Sequence, residues 1–167
     1  DLDVADLLSR DEILPNTELL NKNINSKVVL VTGAGGSIGS ELCRQITKLN
    51  PKKLLLLELN EFGLYKIYEE LKNFNSDLNI IPLIANIQNK SRINHILKTF
   101  KVNTIYHAAA YKHVPLVEIN PLNGIKNNVF STLNICIAAK NLCLKKVLMI
   151  SSDKAVRPTN IMGATKR

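Results

Sequence analysis

KVVLVTGAGGSIGSEL, residues 27–42, decides the fold. Lys27–Thr32 is a continuous run of aliphatic and β-branched residues, the composition of a strand buried on both faces. Gly33, Gly36 and Gly39 follow at once as G-x-x-G-x-x-G. The spacing differs from G-x-G-x-x-G, but the physical needs are similar. One glycine permits the tight turn, one lets backbone approach a pyrophosphate, and one lets the helix pack close to the strand. Ser37 and Ile38 then open a helix whose free N–H groups and positive dipole end suit a phosphate. A glycine turn by itself is also what a plain tight turn looks like. Here the order strand, loop, helix is the one that phosphate binding demands.

Outward from this unit the same alternation continues. Ser37–Leu49 has helical spacing at Ile38, Leu42, Ile46 and Leu49, and Asn50-Pro51 stops it. Strands are predicted at Lys53–Glu58, Ile80–Ile84, Thr104–His107 and Lys146–Ser151. Helices are predicted at Glu61–Phe74, Ser91–Phe100 and, as one long element, Pro121–Leu142. Apolar strands separated by amphipathic helices require right-handed crossovers and a parallel sheet covered on both faces. The expected fold is therefore α/β, a doubly wound parallel sheet of the Rossmann type, over residues 27–167. Residues 1–26 read as an extension or linker, with Pro15, Asn16, Asn21, Asn23 and Asn25 interrupting any long periodicity.

Composition narrows the function classes. The 167 residues are 46% hydrophobic and 22% charged, as in an ordinary globular domain. Lys and Arg outnumber Asp and Glu by 22 to 14, a net charge of +8. That balance suits an anionic ligand, a nucleic acid or an acidic membrane surface. The basic residues are scattered along the chain, as at Lys52-Lys53, Lys145-Lys146 and Lys166-Arg167, with no basic helix and no aromatic-interleaved stripe. Solvated faces are expected, and no nucleic-acid partner. Cys43, Cys136 and Cys143 form no CxxC and have no His at ligand spacing, so no metal site is expected and a reducing cytosol is. No apolar run approaches the ~18 residues of a membrane span.

Other positions fit a dinucleotide. Glu58 ends the second strand, where a carboxylate can accept both ribose hydroxyls and would repel a 2′-phosphate, favouring NAD over NADP. The alternative for Glu58 is a solvated strand-end charge. Asn86 and Ile87 end the third strand and can flank adenine. Ala108, Ala109 and Ala110 follow the fourth, where small side chains either leave room for a cofactor or pack tightly. All lie at carboxyl ends of strands, where such sheets bind ligands.

TGAGGSIGSEL (32–42), HAAAYKHVPLVE (107–118), NNVFSTLN (127–134) and SSDKAVRPTNIMGATK (151–166) together resemble the extended short-chain dehydrogenase/reductase family. More narrowly they resemble its UDP-N-acetylglucosamine 4,6-dehydratases of bacterial polysaccharide and glycan biosynthesis, over about residues 4–167. Asp6-Leu7-Leu8-Ser9-Arg10 is similar to the linker of long, membrane-anchored members. The resemblance thus implies a cytoplasmic domain of an inner-membrane protein, a UDP-sugar substrate and a homo-oligomer. It also implies a substrate-binding C-terminal part beyond Arg167, so the 167 residues alone are expected to bind NAD without turning over. Four positions depart from the pattern. Ser152 stands for the usual Thr, Asn86 for Asp, Ser131 for Gly, and Met162 for the Tyr of Tyr-x-x-x-Lys, with Lys166 retained. Some dehydratases share that Met.

The chemistry implied is internal redox: hydride leaves sugar C4 for NAD⁺, water is eliminated across C5–C6, and hydride returns to C6. Elimination needs a base for the C5 proton and an acid for the leaving hydroxyl, and Asp153 and Lys154 are the candidates. Lysine removes a proton only as the neutral amine, a form favoured by burial or by neighbouring positive charge such as Lys166 and the oxidised nicotinamide. Lys166 is expected to bond the nicotinamide ribose. Met162 is a weak acceptor, so Asp153, or a water held by Ser152, is expected to deprotonate the C4 hydroxyl. Adjacent strand residues point to opposite faces, so the chain must turn at Asp153-Lys154. Lys112 and His113 either face the sugar nucleotide or pack their loop. The remaining readings are an epimerase or reductase on the same fold, which would want the Tyr that Met162 replaces, and a non-catalytic NAD(P)-binding domain.

Overall fold

The computed structural model describes residues 16–74 and 77–167; the linker-like Asp6–Arg10 lies outside them. Strands β1 (Val28–Thr32), β2 (Lys53–Glu58), β3 (Ile80–Ile84), β4 (Thr104–His107) and β5 (Lys146–Met149) form one sheet in the order β3-β2-β1-β4-β5. Every pairing is parallel. The order reverses beside β1, the topological switch point where doubly wound sheets bind ligands.

Alternate residues of the central strands feed two cores. Val29, Val31, Leu54 and Leu56 pack with Cys43, Ile46, Leu64 and Ile67 on one face. Leu30, Leu55, Leu57 and Ile105 pack with Ile93, Ile96, Leu97 and Ile135 on the other. The helices that supply these contacts are α2 (Ser37–Thr47) and α3 (Glu61–Phe74) on the first face, and α4 (Lys90–Phe100) and α7 (Ser131–Asn141) on the second. Each fully buried Leu or Ile contributes roughly 1.5–3 kcal/mol of transfer free energy. Two-sided burial is why β1 and β2 read as unbroken apolar runs.

Three differences from the sequence reading have local causes. The asparagine-rich stretch before Lys27 contains helix α1 (Thr17–Ile24), capped by the Asn16 side chain accepting from Leu19 N–H at 3.0 Å. Its Ile24 is buried in the first core, so an asparagine taken as a breaker is a cap. The segment after β4 contains a short helix α5 (Val114–Ile119). The helix expected over Pro121–Leu142 is three pieces: α6 (Pro121–Ile125), a π-helical turn at Lys126–Phe130, and α7. Such π insertions appear mostly as single turns within helices.

Past β5 the chain bends into a 3-10 turn at Asp153–Ala155 and ends in helix α8 (Ile161–Lys166), capped by Asn160 accepting from Gly163 N–H at 2.7 Å. No helix among the described residues is long and apolar enough to cross a membrane.

Candidate functional site

The glycine turn is built as its spacing requires. Gly33 has φ +68°, and a Cβ there would lie 2.7 Å from the Ala109 backbone. Gly39 brings α2 against the turn so closely that a Cβ would collide with the Gly33 carbonyl oxygen. Gly36 is the N-cap of α2, and its first turn has no side-chain cap and no acidic residue. The N–H groups there, Ser37 and Ile38 included, are left to an external acceptor.

The turn faces a cleft of about 470 Å³ at the carboxyl ends of β1–β4. Gly33, Gly36, Glu58, Asn86, Ile87, Ala108 and Ala109 all line it. Ser37 and Ile38 stand in the adjoining helical turn, and Gly39 packs behind the loop; none of these three is a lining residue. Glu58 is no solvated charge. Its Oε2 accepts from Gly35 N–H at 3.1 Å, and its Oε1 from Leu59 and Asn60 N–H at 2.8 and 3.0 Å. The carboxylate therefore ties the glycine turn to the start of α3, with lone pairs remaining for a ligand. Asn86 accepts from Gln88 N–H at 2.9 Å while Ile87 is 7% exposed. A polar and an apolar group thus flank that end of the cleft.

A second cavity of about 400 Å³ shares Ala110 and Tyr111 with the first and is lined by Lys112 and His113. At the end of β5, two strands from β1 and roughly 10 Å away at ordinary strand spacing, lies the Ser152–Lys154 corner. The turn expected there is the 3-10 turn. Ser152 Oγ accepts from Lys154 N–H at 3.0 Å and donates to Asp153 Oδ1 at 3.4 Å. Its hydroxyl thus helps to shape the corner, with one lone pair remaining. Asp153 and Lys154 pair at 3.7 Å with side chains 89% and 52% exposed. Helix α8 packs onto this turn so tightly that a Cβ on Gly163 would strike the Lys154 carbonyl oxygen. Lys166 Nζ approaches the Ile150 carbonyl at 3.5 Å, and burial holds its ammonium below the usual lysine range. Met162 is buried in the packing of α8 at 3% exposure.

A relay of polar groups missed by the sequence reading joins these parts. Thr132 Oγ1 donates to the Asn128 carbonyl at 2.6 Å, so it accepts at its 3.0 Å contact with His107 Nε2. His107 then carries its proton on Nε2, and Nδ1 accepts from Thr32 Oγ1 at 2.6 Å. Asn128 accepts from Tyr111 N–H at 2.8 Å and donates to the Tyr111 carbonyl at 3.0 Å and to Thr165 Oγ1 at 2.8 Å. The π-helical turn and the start of α7 thus link β1, the β4 loop and α8. Burial, with Lys166 nearby, pushes the His107 imidazole down to about 4. A visible signal was there: His107 and Thr32 are polar residues closing apolar strands.

The profile of the polysaccharide biosynthesis protein family matches residues 29–167. The chain belongs to that family. It is 48% identical over 167 residues to the capsular polysaccharide biosynthesis protein CapD of Staphylococcus aureus, covering 99% of this chain and 28% of that protein. It is 34% identical over 143 residues to a UDP-N-acetylglucosamine 4,6-dehydratase (inverting) of Campylobacter jejuni, covering 85% and 41%. The solved structure of Pen from Bacillus thuringiensis superposes with a TM-score of 0.80 at 33% identity, covering 86% of this chain and 44% of that one. The chain therefore spans less than half the length of these relatives. As a member of the polysaccharide biosynthesis protein family it supplies a cleft, a glycine turn and a polar corner on one edge of one sheet.

Proposed function

We propose that this chain is the cofactor-binding part of a nucleotide-sugar 4,6-dehydratase that converts UDP-N-acetylglucosamine to a UDP-4-keto-6-deoxy sugar in polysaccharide or glycan biosynthesis. The observation that carries the reading is the placement of the Asp153-Lys154 corner on the same sheet edge as the glycine turn, beside Lys166. A dinucleotide fits the cleft, because the φ +68° turn at Gly33, the small Ala108-Ala109 wall and the uncapped start of α2 leave room and donors for a pyrophosphate. Bound NAD⁺ would supply the hydride acceptor for sugar C4 and return the hydride at C6.

The chain's own residues would do the rest. N–H groups of the first turn of α2 hold phosphate, Glu58 receives ribose hydroxyls and disfavours a 2′-phosphate, and Asn86 and Ile87 flank adenine. Lys166 holds the nicotinamide ribose and adds positive field at the corner. Asp153 and Lys154 share the proton transfers of elimination, taking H⁺ from C5 and giving H⁺ to the hydroxyl leaving C6, so that one water is lost. A substrate covering this exposed pair supplies the desolvation that such transfers need. Lys112 and His113 line the neighbouring cavity, where the rest of a sugar nucleotide would extend. The buried Met162 offers no Tyr hydroxyl for the C4 proton, which supports a dehydratase over an epimerase and leaves Asp153, or a water held by Ser152, to take that proton. In whole relatives this part would belong to a cytoplasmic region of a membrane-anchored homo-oligomer.

The test incubates the full-length protein with UDP-N-acetylglucosamine and follows product mass and proton NMR. Loss of one water with appearance of a 4-keto-6-deoxy sugar supports the reading. An isomeric product of unchanged mass would replace it with epimerisation.

A further inference from the structure

Lysines far apart in sequence meet at one end of the molecule. Because all five strands are parallel, every loop that enters the sheet lies on the edge opposite the cofactor cleft. Lys27 precedes β1, Lys52 precedes β2, Lys98 and Lys101 precede β4, Lys145 precedes β5 and Lys146 begins it; all are exposed. Lys53 N–H donates to the Lys27 carbonyl at 3.3 Å, and Lys146 is in register with Thr104 of β4. At ~4.8 Å per strand the row from β2 to β5 spans about 15 Å, so neighbouring charges lie within a Debye length. Asp77 is the one acidic residue in these entering loops among the described residues. Some of the charge complements helix C-termini, as Lys98 does in the last turn of α4. Lys27, Lys52 and Lys145 are outside any helix.

This edge also has apolar features. A cavity of about 430 Å³ opens between α4 and α7, with Leu97, Val102, Leu142 and Leu144 as its walls and Lys98, Lys101 and Lys145 among them. Farther along the same edge, Phe74 ends α3 with 70% of its surface exposed. No arginine occurs in the entering loops of the described residues. The planar guanidinium fork typical of nucleic-acid sites is therefore not what this edge offers. Lysine point charges around apolar surface match the headgroup region of an anionic bilayer.

We propose that the strand-entry edge docks on an anionic phospholipid surface, with Lys98, Lys101, Lys145 and Lys146 against headgroups and the cavity and Phe74 toward the acyl boundary. Docked this way, the cofactor cleft faces away from the lipid and stays open. The proposal is independent of the reaction assigned to that cleft.

The test is co-sedimentation of the 167-residue chain with vesicles of phosphatidylcholine alone and with vesicles containing phosphatidylglycerol. Binding is expected only to the latter and should weaken steeply with salt. Each lysine near such a surface contributes about fivefold in partitioning, so K98Q/K145Q/K146Q should bind on the order of a hundredfold more weakly. A control removing as much charge elsewhere, K66Q/K90Q/R92Q, should change binding little, and thermal unfolding of both triple variants should match the parent. Equal loss in the two variants, absence of binding to the charged vesicles, or stronger binding to duplex DNA than to vesicles at matched salt would each overturn the proposal.

Discussion

His107 offers a quantitative test of how the site is held together. Its ring is 4% exposed, bonded on both nitrogens, and pushed down to about 4 by burial and by the nearby Lys166. In the unfolded chain it titrates near 6.5. Between those values the unfolded state binds more protons than the folded one, so stability rises with pH. The contribution is fully present above 6.5 and is lost as pH falls toward about 4. Integrating the linkage from pH 7.5 to 4.5 gives a loss of about 2.5 kcal/mol. Urea unfolding across that range measures it, and the variant His107→Gln removes the titration while keeping a hydrogen-bonding side chain. The expected result is a lower but flatter stability profile for the variant. Glu41 and Glu70, held below the usual carboxylate range by Gln45 and Arg44 respectively, lose their contribution as pH falls through that range and below it, but they do so in parent and variant alike, so the difference between the two profiles reports His107. Parallel profiles for parent and variant would refute the reasoning, as would an NMR titration placing the His107 ring near 6.5.

Three further outcomes follow from single contacts. Gly39→Ala drives a Cβ into the Gly33 carbonyl, so a loss of about 1–3 kcal/mol in thermal unfolding and loss of NAD binding by calorimetry are expected. Ser131 carries the one buried hydroxyl without a partner among the described residues; Ser131→Ala should stabilise the chain by about 1 kcal/mol in urea, and destabilisation would mean that the hydroxyl has a partner. Glu58→Ala removes the acceptor of three backbone N–H groups, and calorimetric titration should show NAD weakened by on the order of tenfold and the discrimination against NADP reduced.

The fold was legible because β1 and β2 are buried on both faces, which leaves no polar alternation to confuse with a helix. The glycine turn beside the cleft was legible for a related reason. Gly33, Gly39 and Ala109 are fixed by steric exclusion, and exclusion selects small residues at set spacings that a reader can see. The π-helical turn at Lys126–Phe130 was not legible. A one-residue insertion leaves apolar periodicity nearly intact, and its purpose, turning Asn128 toward Tyr111 and Thr165, exists only in three dimensions. Helix α1 was missed for the opposite reason, since Asn16 and Asn25 serve as its caps and caps resemble breaks.

The same distinction explains the charge. In sequence the lysines are spread almost evenly, and that spread argued for solvated faces. A parallel sheet collects every strand entry on one edge and every strand exit on the other, so residues spaced by the β-α period are neighbours in space. Lysine just before a strand is a repeating position in this chain, at Lys27, Lys52 and Lys145. Glycine, alanine and asparagine recur after strands, at Gly33, Asn86 and Ala108. One period thus sorts the molecule into a basic end and a small-residue end that carries the cleft. Even spacing of charge along a β-α repeat is accordingly a sign of clustering.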